Sequence, residues 1–212
     1  MSGVKADYLS MARSAAELLR EPAVATAWSS PSSLPKFSVG GLAGHLANQI
    51  LVVPQALATP VPQQEQVLSL LGYYDRAQWI GADLDDEANV RVRDRGEQVA
   101  EEGPAALIAR VDATLEELSD GLAAAGDPVV SLPWAARVVR LDDLLITRMM
   151  ELAVHSDDLA VSVGVPTPAF PQSAMDTVID LLSRLAVRRH GATAVLRALS
   201  RAERAPATIA AI

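Results

Sequence analysis

From Phe37 to Gln64 the chain carries no Asp, Glu, Lys or Arg, and this run constrains the fold more than any other feature. A stretch so poor in charge belongs in an apolar surrounding, either a membrane or the centre of a folded domain. A membrane span needs about 20 predominantly apolar residues, whereas His45, Asn48, Gln49, Pro54 and Gln55 interrupt this one. It therefore reads as a buried helix of a soluble protein. Ser38 is its expected N-cap, Val39, Leu42, Leu46, Ile50 and Val53 form its apolar face, and Pro54 is expected to kink or end it.

A buried helix needs partners of its own kind. Half of the 212 residues are hydrophobic but only 4% are aromatic, so the core is built mainly from Ala, Leu and Val, which favours an all-α architecture. Asp7 to Leu19 places Tyr8, Met11, Ala15, Leu18 and Leu19 at helical spacing and should end near Glu21-Pro22. Residues 65–81 read as helical through Val67, Leu70, Leu71 and Tyr74, while the charged residues 83–102 stay open, with Val90 to Arg93 either extended or helical. Gly103-Pro104 opens a helix striped with Leu107, Val111, Leu115, Leu118 and Leu122. Val129 to Val139 suggests a short hairpin or linker, and Leu141 to Val163 is the most apolar helix, stopped by Gly164 and Pro166. A helix from Pro171 to Arg189 and a short one holding Val195, Leu196 and Leu199 complete the chain.

Four long amphipathic helices with a long connection between the second and third suggest a four-helix bundle with a crossover. The expected division is a bundle over residues 1–165 and a C-terminal helical extension over 166–212, packed on it.

The absence of cysteine excludes disulfide scaffolds, thiolate zinc sites and a Cys nucleophile, and is compatible with a reducing compartment. A formal charge of −8 argues against general nucleic-acid binding. Asp7, Arg13 and Glu17 interrupt the N-terminal apolar pattern, so it does not read as a signal peptide. A cytoplasmic protein with no nucleic-acid or membrane partner is expected, and a homodimer is compatible with the sequence.

The histidines are few and their placement is informative. His155 stands four residues after Glu151, one turn along the same helix face, a spacing that lets a carboxylate and an imidazole share a divalent cation if a third ligand arrives from elsewhere. Arg148, Glu151, His155 and Asp158 form one polar seam beside the apolar seam of Leu145, Leu152 and Leu159. Burying those charges unpaired would cost several kcal/mol each. The spacing alone fits either a metal ion or a compact ion-pair network, including one between Arg148 and Asp158. His45 lies at the edge of the charge-free helix's apolar stripe, flanked by Gly40, Gly41 and Gly44, which suit close approach by another helix or a ligand.

Together, the run from Ser38 to Leu46 (SVGGLAGHL) and the pattern Arg148-x-x-Glu151-x-x-x-His155-x-x-Asp158-Leu159 resemble the DinB/YfiT-like superfamily. Within it the likeness is to the mycothiol-dependent maleylpyruvate isomerase family. The resemblance implies a four-helix bundle with one divalent metal at one end, bound by His45, Glu151 and His155. That donor set leaves positions open for water or substrate, as catalytic sites do. It suits Zn2+, with Ni2+, Fe2+ and Mn2+ as alternatives, and lacks the paired motifs of a di-iron centre. Asp158 is expected to orient a ligand or serve catalysis, and Arg148 to neutralise a carboxylate or hold an anionic substrate.

The resemblance implies mycothiol as cosubstrate and a small electrophile as its partner, the cation lowering the thiol pKa for S-transfer or cis–trans isomerisation. The family's isomerase carries a further C-terminal α/β domain, whereas residues 164–212 here read as helical, which favours a thiol-transferase-like relative. The alternatives are a zinc-dependent hydrolase with Asp158 as base, and a non-catalytic metal-binding bundle. His190 reads as a surface residue. The six arginines from Arg184 to Arg204 read as a solvated basic face that pairs with residues 83–102, with anion binding the lesser reading. Trp134 and Arg137 either line the site mouth or pack.

Overall fold

The computed structural model describes residues 3–212. Helices α1 (Gly3–Leu19), α3 (Val39–Ala58), α6 (Pro104–Ala124) and α7 (Leu141–Val163) form the bundle, with the short α2 (Pro22–Thr26) between the first two. α1 and α3 take opposite corners, and α6 and α7 each pack against both. The fold is all-α, as the Ala/Leu-rich composition implies, and its crossover lies between α3 and α6.

The helix ends follow their caps. Ser38 Oγ accepts from Gly41 N at 2.8 Å, satisfying one of the free amides of α3. Pro104 occupies the first turn of α6. Gly164, in the left-handed region at φ 71°, closes α7, whose bounds match those read from the sequence. Pro54 does not end α3, which runs on to Ala58; in the interior a proline removes one ladder hydrogen bond, and burial of Val52, Val53 and Ala56 outweighs that loss.

The crossover differs from expectation. Residues 65–81 do not form one helix: β1 (Val67–Leu68) is followed by α4 (Leu70–Tyr74), capped by Ser69 Oγ on Gly72 N at 3.2 Å. The apparent helical period arose because two adjacent short elements bury Leu68, Tyr73 and Tyr74 towards the same core. Residues 83–102 resolve as α5 (Glu87–Ala100), capped by Asp86. Its buried residues are small, Ala88, Gly96, Val99 and Ala100, and it packs against α3 along Gly41 and Gly44. A Cβ on Gly44 would overlap the Gly96 carbonyl oxygen, so the two backbones touch. The close approach foreseen from those glycines is thus by a helix.

The hairpin expected before α7 is present, as β2 (Val129–Leu132) and β3 (Arg137–Arg140). Among the described residues it joins β1 in a sheet ordered β1-β3-β2, with β1 parallel to β3 in the register Val67 to Val138 and Leu68 to Val139. This pairing pins α4 against the start of α7.

α8 (Gln172–His190) lies on α7 and α1, and its Ala174, Val178, Leu181 and Leu185 belong to the same apolar cluster as the bundle interior. α9 (Ala192–Ser200) folds back on α8. The C-terminal arginines do not pair with residues 83–102: Arg184 reaches Asp180, Arg204 reaches Glu203, and Arg188 reaches Asp75 and the Leu71 carbonyl beside α4. Local partners were closer than the distant acidic helix. His190, partly exposed, bonds the Ala210 carbonyl at 2.8 Å. Among the described residues, no helix is long and apolar enough to cross a membrane.

Candidate metal centre

α3 and α7 run antiparallel through the bundle, which brings His45 against Glu151 and His155. The two imidazole rings stand edge to face, 4.6 Å between centroids at 84°. His45 Nε2 lies 3.4 Å from Glu151 Oε2, and His155 Nε2 lies 3.2 Å from the same oxygen. One ligand atom from each of the three residues falls within 4.8 Å of the others. Tetrahedral bonds of about 2.0–2.2 Å separate ligand atoms by roughly 3.4 Å, so this triad fits a single cation with little adjustment. All three are substantially buried, with side-chain exposures of 11–15%, and none is wholly cut off from solvent.

Neighbouring groups fix the triad. Asp158 Oδ2 accepts from His155 Nδ1 at 2.9 Å, which leaves Nε2 as the nitrogen facing Glu151. Asp158 is itself set by the loop before α3, where Ser33 Oγ donates to its carbonyl at 2.8 Å. Phe37 from that loop places its ring edge-on to His45 at 6.0 Å. The ion pair between Arg148 and Asp158 weighed from the sequence does not form. Arg148 lies on the side of Glu151 away from Asp158 and turns to α3 and α4: Nη1 donates to Gln49 Oε1 at 2.5 Å, Nη2 to the Tyr73 hydroxyl at 3.4 Å, and Nε to Thr147 Oγ1 at 3.1 Å.

The electrostatics match this layout. Burial alone would raise the Glu151 carboxyl, but hydrogen bonds from His155 and His45, with the Arg148 charge, hold it well below the usual carboxylate range. Burial would lower His155, yet its bonds to Asp158 and Glu151 push it up to about 9. His45, with the same burial and a neighbouring imidazole, is held below its ordinary value. Without a cation, a proton on His155 serves as the counter-charge for two carboxylates.

Sequence reading missed Gln49 and the tyrosine pair. Gln49 stands one turn after His45, and its position as a polar residue in a charge-free stretch was the available signal. Tyr73 and Tyr74 arrive from the crossover and had no such signal. Of the two residues considered for the site mouth, Arg137 instead donates to the Tyr73 and Arg76 carbonyls and lies over the Tyr73 ring, 5.3 Å from its centroid. Trp134 is 42% exposed at the hairpin.

Fold and site together define a helical bundle that presents a two-histidine, one-glutamate cation site between antiparallel helices. A family model described as the mycothiol maleylpyruvate isomerase N-terminal domain matches residues 9–160, and the chain belongs to that family. The matched span contains all three triad residues. No curated protein and no solved structure matches the chain.

Proposed function

We propose that this protein is a divalent-metal-dependent enzyme that uses a low-molecular-weight thiol, mycothiol by family membership, in S-transfer to a small electrophile or in thiol-assisted isomerisation. The observation that carries the reading is the convergence of His45 and His155 Nε2 on one carboxylate oxygen of Glu151. A divalent cation held by these three residues, Zn2+ by the chemistry of the donor set, would supply a Lewis acid that lowers the pKa of a thiol.

The protein's own groups support that chemistry. Asp158 orients His155 and raises its basicity as a ligand. Arg148 sets a buried positive charge one turn from Glu151, suited to an anionic end of the electrophile. Burial of the triad limits competition from bulk water for the thiolate. The chain has no cysteine, so the reacting sulfur comes from the cosubstrate. Asp158 is engaged with His155 Nδ1, an arrangement that supports the thiol reading over hydrolysis, where the same carboxylate would have to serve water.

Metal analysis of wild type beside His45→Ala and His155→Ala tests the ligand set: both variants should lose stoichiometric metal, and full occupancy in both would show the assignment to be wrong. Zinc-loaded protein incubated with mycothiol and a panel of electrophiles should yield S-conjugates or isomerised product. No product, together with no thiol-dependent change at the metal, would remove the thiol reading.

A further inference from the structure

Beside the triad, one buried polar group is left without a partner and one buried cation is hydrogen-bonded by neutral groups alone. Arg148 is 7% exposed, yet the partners of its three nitrogens, Gln49, Tyr73 and Thr147, are neutral, and no salt bridge to it forms among the described residues. The Tyr74 hydroxyl is buried and has no hydrogen-bond partner, although its residue is only 5% exposed. Buried phenol hydroxyls ordinarily find one. Tyr73 and Tyr74 stand edge to face with centroids 5.1 Å apart, so the unpartnered hydroxyl and the guanidinium are joined through one aromatic pair. Both Glu151 and Arg148 act on the Tyr74 hydroxyl electrostatically, and burial with the Glu151 charge keeps it in its protonated, donating form. The Tyr74 hydroxyl thus has a proton to donate and no acceptor within the fold to take it.

We propose that the Tyr74 hydroxyl is a specificity-determining group that donates a hydrogen bond to an oxygen of an oxyanionic ligand, of the carboxylate class, taken up beside Arg148 and the triad. This rests on the cation reading above and adds to it the group that selects the oxygen-bearing partner. Tyr74 lies on α4, which β1 pins against the start of α7, so its position is independent of the metal ligands. A ligand carboxylate supplies the acceptor that Tyr74 lacks and carries a charge opposite to that of the neighbouring Arg148. A thiolate bound at the cation offers a single, weakly accepting sulfur, whereas a carboxylate has a second oxygen to turn towards Tyr74.

The test uses Co2+-loaded protein, whose visible absorption reports on ligands at the cation, titrated with acetate and with 2-mercaptoethanol in wild type and Tyr74→Phe. Tyr74→Phe should take up Co2+ as wild type does, bind acetate roughly tenfold or more weakly, and bind 2-mercaptoethanol within about twofold of wild type. Its melting temperature should stay level or rise, because the hydroxyl removed has no partner within the fold. Unchanged acetate affinity overturns the inference, as does an equal loss for the thiol or a melting temperature lowered by several degrees. A wild type that takes up no Co2+ overturns the cation reading and this one with it, whereas normal uptake with unaltered acetate binding overturns this one alone.

Discussion

Replacing Gly44 by alanine should destabilise the protein, although alanine is the better helix former. A methyl at Gly44 would overlap the Gly96 carbonyl oxygen and press on Ala100, at 3.0 Å from its Cβ and 3.1 Å from its amide nitrogen. Two of those three neighbours are backbone, so relief requires α3 and α5 to separate rather than a side chain to turn. Overpacking of this kind costs about 1–3 kcal/mol, and the gain from removing a helical glycine returns about 0.5–1 kcal/mol. A net loss of about 1–2 kcal/mol corresponds to a fall in melting temperature of roughly 2–8 °C for a domain of this size. Gly121 supplies the control: it lies in α6, exposed, with open space where a methyl would stand, so Gly121→Ala should raise stability by about 0.5–1 kcal/mol. Calorimetric or circular-dichroism melts of the metal-free proteins read both signs. Because His45 follows Gly44 directly, zinc affinity should fall in the first variant and hold in the second. If Gly44→Ala melts higher, in step with Gly121→Ala, the close backbone contact between α3 and α5 is refuted.

Other outcomes follow from the site and its surroundings. Asp158→Asn should retain the fold and lose metal affinity by about 10–100-fold, measured by competition with a chelator, because His155 loses the carboxylate on Nδ1. The metal-free protein should lose stability between about pH 6.5 and 9. His155 is raised from 6.5 to about 9, so its contribution is complete below 6.5 and fades as pH rises through 9. Zinc affinity should climb over that same window as His155 sheds its proton, and melts with and without zinc at several pH values check both slopes. On the acid side, Glu151 is depressed, so its contribution holds above the ordinary carboxyl range and disappears as pH falls through its folded value. Ser156 is fully buried with an unpartnered hydroxyl, so Ser156→Ala should leave stability level or raise it by about 1 kcal/mol in chemical denaturation.

What the sequence revealed depended on whether the signal was local. The starts of α3 and α6 and the end of α7 were legible because Ser38, Pro104 and Gly164 act on their own backbone. The triad was legible because Glu151 and His155 share a helix face, and family resemblance supplied the partner for them in His45. The crossover was not legible. β1 is two residues long and exists through pairing with β3, which lies some 70 positions downstream and leaves no local trace. α5 lacks an apolar stripe because its contact with α3 is made by small residues, so periodicity had nothing to report. The Arg148 partners were not legible for a related reason: Asp158 lies on the same seam, but Gln49 and Tyr73 arrive from other elements and are closer.

The β1-β3 ladder acts as a ruler. It buries little by itself, yet it fixes where α4 sits along the start of α7. A slip of one residue would move the attached helix by about 3.3 Å and turn strand side chains to the opposite face. Such a displacement equals the whole reach of Arg148 Nη2 to the Tyr73 hydroxyl, 3.4 Å. Two paired residues in a long connection thus calibrate one side of a site whose other side is built by the bundle helices, and an insertion of a single amino acid between Leu68 and Leu70 would detune that side while leaving the bundle standing.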